Sequence, residues 1–227
     1  MLELNKLYNM DCMDGMKQFP DKYFELAIVD PPYGIGASND SRVGGFYTVN
    51  LGGNKKKVAA KNYAPKEWDN AKPSKEYFKE LLRVSQNQII WGGNYFINNL
   101  EESSCWLVWD KMNGANNNAD CELAWTSFKT AVRKFSFRWN GMLQGDMKNK
   151  EFRIHPTQKP VKLYEWLLTN YAKQGDKILD THVGSASSLI ACYNLGFDYM
   201  GFELDKDYYE AATKRLEAVK SQVRFTI

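Results

Sequence analysis

Residues Leu26-Ala27-Ile28-Val29 form an unbroken apolar run of strand length that stops at Asp30-Pro31-Pro32-Tyr33. A strand that is apolar at every position, rather than at alternate ones, is covered on both faces, as in the centre of a sheet flanked by helices. Two successive prolines continue neither a helix nor a ladder, so the tetrapeptide sits where a buried strand ends. The rest of the chain must then supply a layer for each face, and the C-terminal third alternates accordingly. Val161, Tyr164, Leu168 and Tyr171 mark a helix face that ends at Gly175-Asp176, and Lys177-Ile178-Leu179-Asp180 reads as a strand. Leu189, Ile190 and Tyr193 mark a helix stopped by Gly196, residues 199–203 a strand, and Tyr209, Ala212, Leu216 and Val219 a last helix. This alternation predicts an α/β fold with a mostly parallel, doubly wound sheet.

Upstream, Leu2-Glu3-Leu4 alternates like a short strand, and Met13, Met16 and Phe19 have helix-like spacing. Ser74 is placed to cap a helix carrying Phe78, Leu81 and Leu82. Residues 88–91, 106–109 and 123–125 read as strands, and residues 134–139 alternate with Phe135, Phe137 and Trp139 on one side. Residues 34–66 are rich in Gly, Asn and Lys without periodicity and read as a long mobile loop. With 227 residues, 44% of them hydrophobic, one domain over residues 1–227 is expected, with inserted loops 34–70 and 111–152.

Several classes are excluded. No apolar run approaches the roughly eighteen residues of a membrane span. The start, Met1-Leu2-Glu3-Leu4, has an early acid and no signal-like core, which points to the cytoplasm. Cys12, Cys105, Cys121 and Cys192 are scattered with no Cys-x-x-Cys pair, and His155 and His182 have no ligand-like neighbours, so no metal is expected. The net charge of +3 hides two basic stretches. Residues 36–66 hold Arg42, Lys55, Lys56, Lys57, Lys61 and Lys66 against Asp40, a net +5. Residues 127–153 hold Lys129, Arg133, Lys134, Arg138, Lys148, Lys150 and Arg153 against Asp146 and Glu151, also +5. Two basic stretches on an otherwise acidic body are either a polyanion-binding face or solvated loops.

Two strand ends carry residues fit for chemistry. After Asp180, the run Thr181-His182-Val183-Gly184-Ser185-Ala186-Ser187-Ser188 opens a helix with small residues, which lets backbone approach a ligand. Glu203, about twenty residues on, ends the next strand, where an acid can bind both hydroxyls of a ribose. That pairing favours a nucleoside cofactor over plain helix–strand packing without saying which. The tetrapeptide narrows the choice. The amino nitrogen of adenine is a weak nucleophile because its lone pair is delocalised. Methylating it requires two acceptors for its N–H bonds, such as the Asp30 carboxylate and the Pro31 carbonyl. An aromatic ring such as Tyr33 can hold an extruded base by stacking, worth roughly 1–3 kcal/mol. Most of the rate then comes from alignment. The alternative is a proline-stiffened strand end with Tyr33 merely packed.

The ordered set Asp30-Pro31-Pro32-Tyr33-Gly34, His155-Pro156-Thr157-Gln158-Lys159-Pro160, Asp180 through Ser188, and Gly201-Phe202-Glu203-Leu204-Asp205 resembles the motifs of DNA amino-methyltransferases. The catalytic motif precedes the cofactor motif, as in the permuted β-type subgroup acting on adenine N6 or cytosine N4. The resemblance spans roughly residues 1–220. It implies a Rossmann-like methyltransferase sheet with one antiparallel strand, and S-adenosylmethionine as cofactor. Its holders would be Asp11 beside the adenine, Glu203 at the ribose, and Asp180 with the Gly184 turn at the methionine, with Cys12, His182, Ser185 and Leu204 also at the cofactor. Thr157 and Lys159 would reach the methionine end, with Asp30 adjoining. Asp30, Pro31, Pro32 and Tyr33 would carry the chemistry.

An aspartate at the head of the tetrapeptide is usual for adenine targets, and serine is commoner for cytosine N4. The partner implied is double-stranded DNA, read by about residues 111–152, with Arg42, Lys55, Lys56, Lys57, Arg133, Lys134 and Arg138 on its phosphates. Asn113, Asn116, Asn117 and Asn118 are either readers of adenine edges or plain turn residues. A homodimer and a cognate restriction endonuclease are further partners the family brings, in a bacterial or phage-encoded protein at the nucleoid. Cytosine-N4 methylation with the same site and a non-catalytic DNA-binding subunit are the alternatives on this scaffold. The cofactor turn departs from the family, which has Pro-Phe where this chain has Thr181-His182 and a glycine where it has Ala186. His182 could tune cofactor binding by titrating, or simply pack like the ring it replaces.

Overall fold

The apolar run ending at Asp30 lies in the middle of an eight-stranded sheet. The computed structural model describes residues 1–37, 45–51, 54–60, 66–114, 119–140 and 143–222, with 45–51 and 54–60 as backbone only. Along the chain run β1 (Lys6–Tyr8), α1 (Cys12–Met16), β2 (Phe24–Val29), β3 (Gly45–Leu51), β4 (Asn54–Ala60), α2 (Lys75–Val84), β5 (Ser85–Trp91) and β6 (Trp106–Asp110). There follow β7 (Cys121–Thr126), β8 (Arg133–Ser136), β9 (Trp139–Asn140), β10 (Leu143–Gln144), α3 (Val161–Tyr171), β11 (Lys177–Asp180), α4 (Ser187–Leu195), β12 (Asp198–Phe202) and α5 (Lys206–Lys220). The large sheet has the order β1-β12-β11-β2-β5-β7-β6-β8, and only β7 runs antiparallel to its neighbours. This is the α/β, Rossmann-like arrangement with one reversed strand.

The continuous apolarity of β2 serves two cores. Leu26 and Ile28 pack with Leu163, Leu167, Ile190 and Leu216 from α3, α4 and α5. Ala27 and Val29 pack on the other face with Met16, Phe78 and Leu81 from α1 and α2. Burial of each larger aliphatic side chain contributes about 1.5–3 kcal/mol, so the helical layers on both faces hold this strand in place. Ser74 caps α2 by accepting from the Tyr77 N–H, as its position predicts.

Four expectations need correction. The first strand is residues 6–8, not 2–4, because it pairs with β12, Lys6 opposite Met200, and Asn5 turns the chain into it at φ 62°. Residues 34–66 are not all loop: β3 and β4 pair antiparallel, with Leu51 opposite Asn54. Residues 111–152 are not an insertion either, since β7 pairs with both β5 and β6 and β8 pairs with β6 in the main sheet. In α5 the inward residues are Tyr208, Ala212 and Leu216 rather than Tyr209. Residues 134–139 do alternate as expected, with Lys134, Ser136 and Arg138 exposed and Trp139 buried.

Candidate active site at the switch point of the sheet

Strand order reverses between β2 and β11: the chain proceeds outward to β5 on one side and to β12 on the other. Helices crossing on opposite faces leave a crevice at the carboxyl ends of those two strands, where open α/β sheets bind ligands. Asp30 follows β2, Asp180 ends β11 and Glu203 follows β12, so this crevice gathers residues far apart in sequence.

A cavity of about 430 Å3 opens there, a volume within the range of small-molecule sites. Asp11, Cys12, Asp30, Thr157, Lys159, His182, Gly184, Ser185, Glu203 and Leu204 all line it. Glu203 is held in place by two backbone donors, Gly184 N–H at 2.8 Å and Asp205 N–H at 2.9 Å. Asp11 caps α1 by accepting from Met13 N–H at 2.7 Å. Burial, then the neighbouring Asp11, push the Cys12 thiol up to about 12, so it remains uncharged.

Asp180 differs from expectation: it does not line the cavity but lies behind its wall. Its Oδ1 accepts His182 N–H at 3.0 Å and its Oδ2 accepts the Ser188 hydroxyl, so it braces the turn from below. Burial raises its carboxyl to about 7 despite those two donors. The turn holds Ala186 at φ 62°, a conformation costing a side-chain-bearing residue about 1–2 kcal/mol, where the family's glycine would be unstrained. Arg215 offsets this by donating to the Ser185 carbonyl at 2.6 Å while its other nitrogen pairs with Glu151 at 2.5 Å.

His182 lines the cavity with its ring edge-on to Tyr77, centroids 5.3 Å apart, and its Nδ1 2.9 Å from the Thr181 hydroxyl. Burial pushes its pKa down to about 4, so the ring is neutral at physiological pH and does not act there as a titrating switch. His182→Ala is expected to weaken S-adenosylmethionine binding about tenfold, or about 1.4 kcal/mol, with no dependence on pH from neutral to mildly acid. Calorimetry showing unchanged affinity would remove His182 from the binding surface.

A second cavity, of about 380 Å3, adjoins the first. Pro31, Tyr33, Tyr95, Lys111 and Glu122 line it, and Asp30, Pro32, Trp68, Thr157 and Lys159 line both cavities. The Tyr33 ring stacks on Tyr95 at 5.0 Å and 18°, and its hydroxyl donates to Asp30 Oδ1 at 2.7 Å. This packing requires Gly92, at φ 68°: a β-carbon there would fall 2.2 Å from the Tyr33 ring. Asp69, also unanticipated, accepts from the backbone of Gly34 and Ala37 and so secures the chain just after the tetrapeptide.

At the junction stands a charged cluster that sequence reasoning only half anticipated. Lys159, expected at the cofactor's methionine end, directs Nζ to Asp30 Oδ2 at 2.5 Å and lies 2.9 Å from Glu122 Oε2, with its side chain 2% exposed. Lys111 pairs with the other oxygen of Glu122 at 2.6 Å. Burial raises the Glu122 carboxyl, but Lys159 and Lys111 more than offset this and hold it at about 2. For Asp30 burial prevails over Lys159, with Glu122 adding to the upward shift. One buried cation thus serves two carboxylates of unequal proton affinity, and Tyr33, raised by its burial, stays a protonated donor. Glu122 left a faint sequence signal, an acid within a strand-like run.

The candidate DNA contacts are elsewhere. Arg133, Lys134 and Arg138 are exposed and line neither cavity. Arg42 and Asn116, Asn117 and Asn118 fall outside the described residues, as do the side chains of Lys55, Lys56 and Lys57. Asn113 donates to the Ala119 carbonyl at 3.1 Å, as a turn residue would. Lys66 is occupied by Asp205 and Asp207 at 2.6 and 2.7 Å and fastens its segment to the start of α5. Among the described residues, no helix is long and apolar enough to cross a membrane, and no acidic, histidine or cysteine cluster could hold a metal ion.

Comparison with known proteins places the chain in a family. The chain is 24% identical over 268 residues to the Type II methyltransferase M.HinfI of Haemophilus influenzae, covering 96% of this chain and 69% of that protein. It is 28% identical over 151 residues to the Type II methyltransferase M2.DpnII of Streptococcus pneumoniae, covering 66% of this chain and 49% of that one. Its fold is similar to that of M1.HpyAVI, solved as a complex with S-adenosylmethionine, with a TM-score of 0.54 at 20% identity over 92% of this chain and 98% of that one. The N6/N4 DNA methylase family model matches residues 98–214, just over half of the chain. The chain belongs to that DNA methylase family.

Proposed function

We propose that this S-adenosylmethionine-dependent DNA methyltransferase acts on the N6 amino group of an adenine extruded from double-stranded DNA. The observation that carries this reading is Asp30: among the described residues it is the one carboxylate lining both cavities, held between a hydroxyl and an ammonium. The larger cavity suits the cofactor. Glu203, its orientation already fixed, has lone pairs left for ribose hydroxyls. Met10 and Leu204 offer apolar flanks for an adenine, and the small-residue turn Gly184-Ser185 lines the cavity just before α4. When bound, S-adenosylmethionine would supply an activated methyl group.

The chain's own residues prepare the acceptor. Asp30 and the Pro31 carbonyl accept hydrogen bonds from the two amino N–H groups, and so direct the nitrogen lone pair along the line of transfer. Tyr33 keeps Asp30 oriented and, with Tyr95, walls the base cavity with aromatic rings. Lys159 favours the ionised form of Asp30 against the opposing effect of burial. The aspartate at the head of the tetrapeptide favours adenine over cytosine N4.

One domain, residues 1–227, would carry both steps, with the basic segments 36–66 and 127–153 on the DNA. Arg133, Lys134 and Arg138 would there set affinity and its salt dependence. A homodimer and a cognate restriction endonuclease are the partners to test, in a cytoplasmic, nucleoid-associated setting. Incubation with methyl-labelled S-adenosylmethionine and duplex DNA should render the label acid-precipitable. Duplex binding without incorporation would instead support the non-catalytic reading.

A further inference from the structure

Both oxygens of Asp30 are engaged before any substrate arrives, Oδ1 by the Tyr33 hydroxyl and Oδ2 by the Lys159 ammonium. An amino group entering the smaller cavity needs one of them as an acceptor. Held by Asp30 alone, Lys159 would occupy that oxygen and depress its affinity for a proton. Glu122 faces the same ammonium from β7, 2.9 Å away, and Lys111 secures its charge from the other side. It can therefore take a larger share of Lys159 without itself becoming protonated.

We propose that Glu122 is a positioning residue for methyl transfer, drawing the Lys159 ammonium from Asp30 so that Asp30 Oδ2 can receive a proton from the target amino group. This rests on the methyl-transfer reading above. The amino nitrogen bonds to the methyl carbon as the carbon–sulfur bond breaks, its electron pair remaining on sulfur. The nitrogen then carries positive charge. One N–H bond breaks, its electron pair returns to nitrogen and its proton passes to Asp30 Oδ2. Lys159 shifts toward Glu122, so that once Asp30 is protonated the ammonium still has a carboxylate beside it. Asp30 is faced by Tyr33 on its own turn, Lys159 before α3, Glu122 on β7 with Lys111 behind it, Tyr164 on α3, Tyr77 on α2 and Asp180 on β11. The three tyrosines are all raised by burial and remain neutral, so Lys159 and Glu122 are the charged groups that, after burial itself, most affect its proton affinity.

Glu122→Gln tests this with two readouts. In the protein free of cofactor and DNA, the Asp30 carboxyl carbon, labelled with 13C and assigned through Asp30→Asn, should titrate about one pH unit lower than in the wild type. In single turnover, transfer should slow by roughly 10- to 100-fold and its acid limb should move to lower pH, with S-adenosylmethionine affinity unchanged. Glu122→Asp should restore part of the rate. An unmoved Asp30 midpoint in folded Glu122→Gln, or transfer at the wild-type rate, overturns the proposal. Should that variant not fold, Lys111→Met frees Glu122 for Lys159 and should raise the Asp30 midpoint; a midpoint that stays or falls overturns it equally. A wild-type protein that methylates no DNA overturns instead the methyl-transfer reading on which it stands.

Discussion

Asp30→Asn is expected to slow methyl transfer by roughly 100- to 10,000-fold while leaving S-adenosylmethionine affinity nearly unchanged, as calorimetry and single-turnover assays would show. Asparagine keeps the shape of the side chain but removes the charge that accepts the amino proton. Lys159 retains Glu122 as a partner, so the substitution leaves no cation unpaired. The larger cavity keeps Glu203, its bracing N–H groups and the α4 turn. Equal loss of binding and transfer would mean that the two cavities do not divide the work as described.

Lys159→Met should be the most damaging change to the fold itself. It leaves Asp30 and Glu122 close together without the ammonium they share, and removing one member of a buried ion pair costs about 3–5 kcal/mol. The loss should depend on pH with a definite sign. In the wild type, Glu122 at about 2 lies below its unfolded value, near 4.3, so its contribution is present above that value and lost as pH falls toward 2. In the variant, the folded Asp30 value lies still further above its unfolded one. The neutral form is then the tolerated one, and the ionisation penalty grows as pH rises through the folded value. Urea midpoints should therefore fall furthest below wild type at neutral pH and recover on mild acidification. A deficit constant with pH would assign the damage to lost packing.

The central fold was legible because β2, β11 and the C-terminal helices obey local rules: continuous apolar strands, helical spacing, and breaks at proline and glycine. Asp30 and Glu203 could be placed because they end such strands. Contacts made across the sheet were not legible. Glu122 meets Lys159 only because β7 lies one strand beyond β5 from β2, and nothing in the 121–126 segment announces that neighbour. For the same reason β1 was misplaced: its partner β12 is almost 200 residues away, and that pairing outweighs the alternation of Leu2-Glu3-Leu4. The β3–β4 hairpin was hidden by its lysines, although Gly52-Gly53 between Leu51 and Asn54 was a usable hairpin signal. Asp180 was assigned to the ligand because its strand end matches a motif, whereas its carboxylate is consumed by Ser188 and the His182 backbone.

The most direct measurement identifies the nucleoside that carries the methyl group. Duplex DNA methylated by the wild-type protein, digested and resolved by mass spectrometry, should yield N6-methyladenine, and Asp30→Asn should yield almost none. N4-methylcytosine as the product would contradict the adenine assignment, and unmodified DNA from a folded protein that binds S-adenosylmethionine would contradict the role given to Asp30 at the junction of the two cavities.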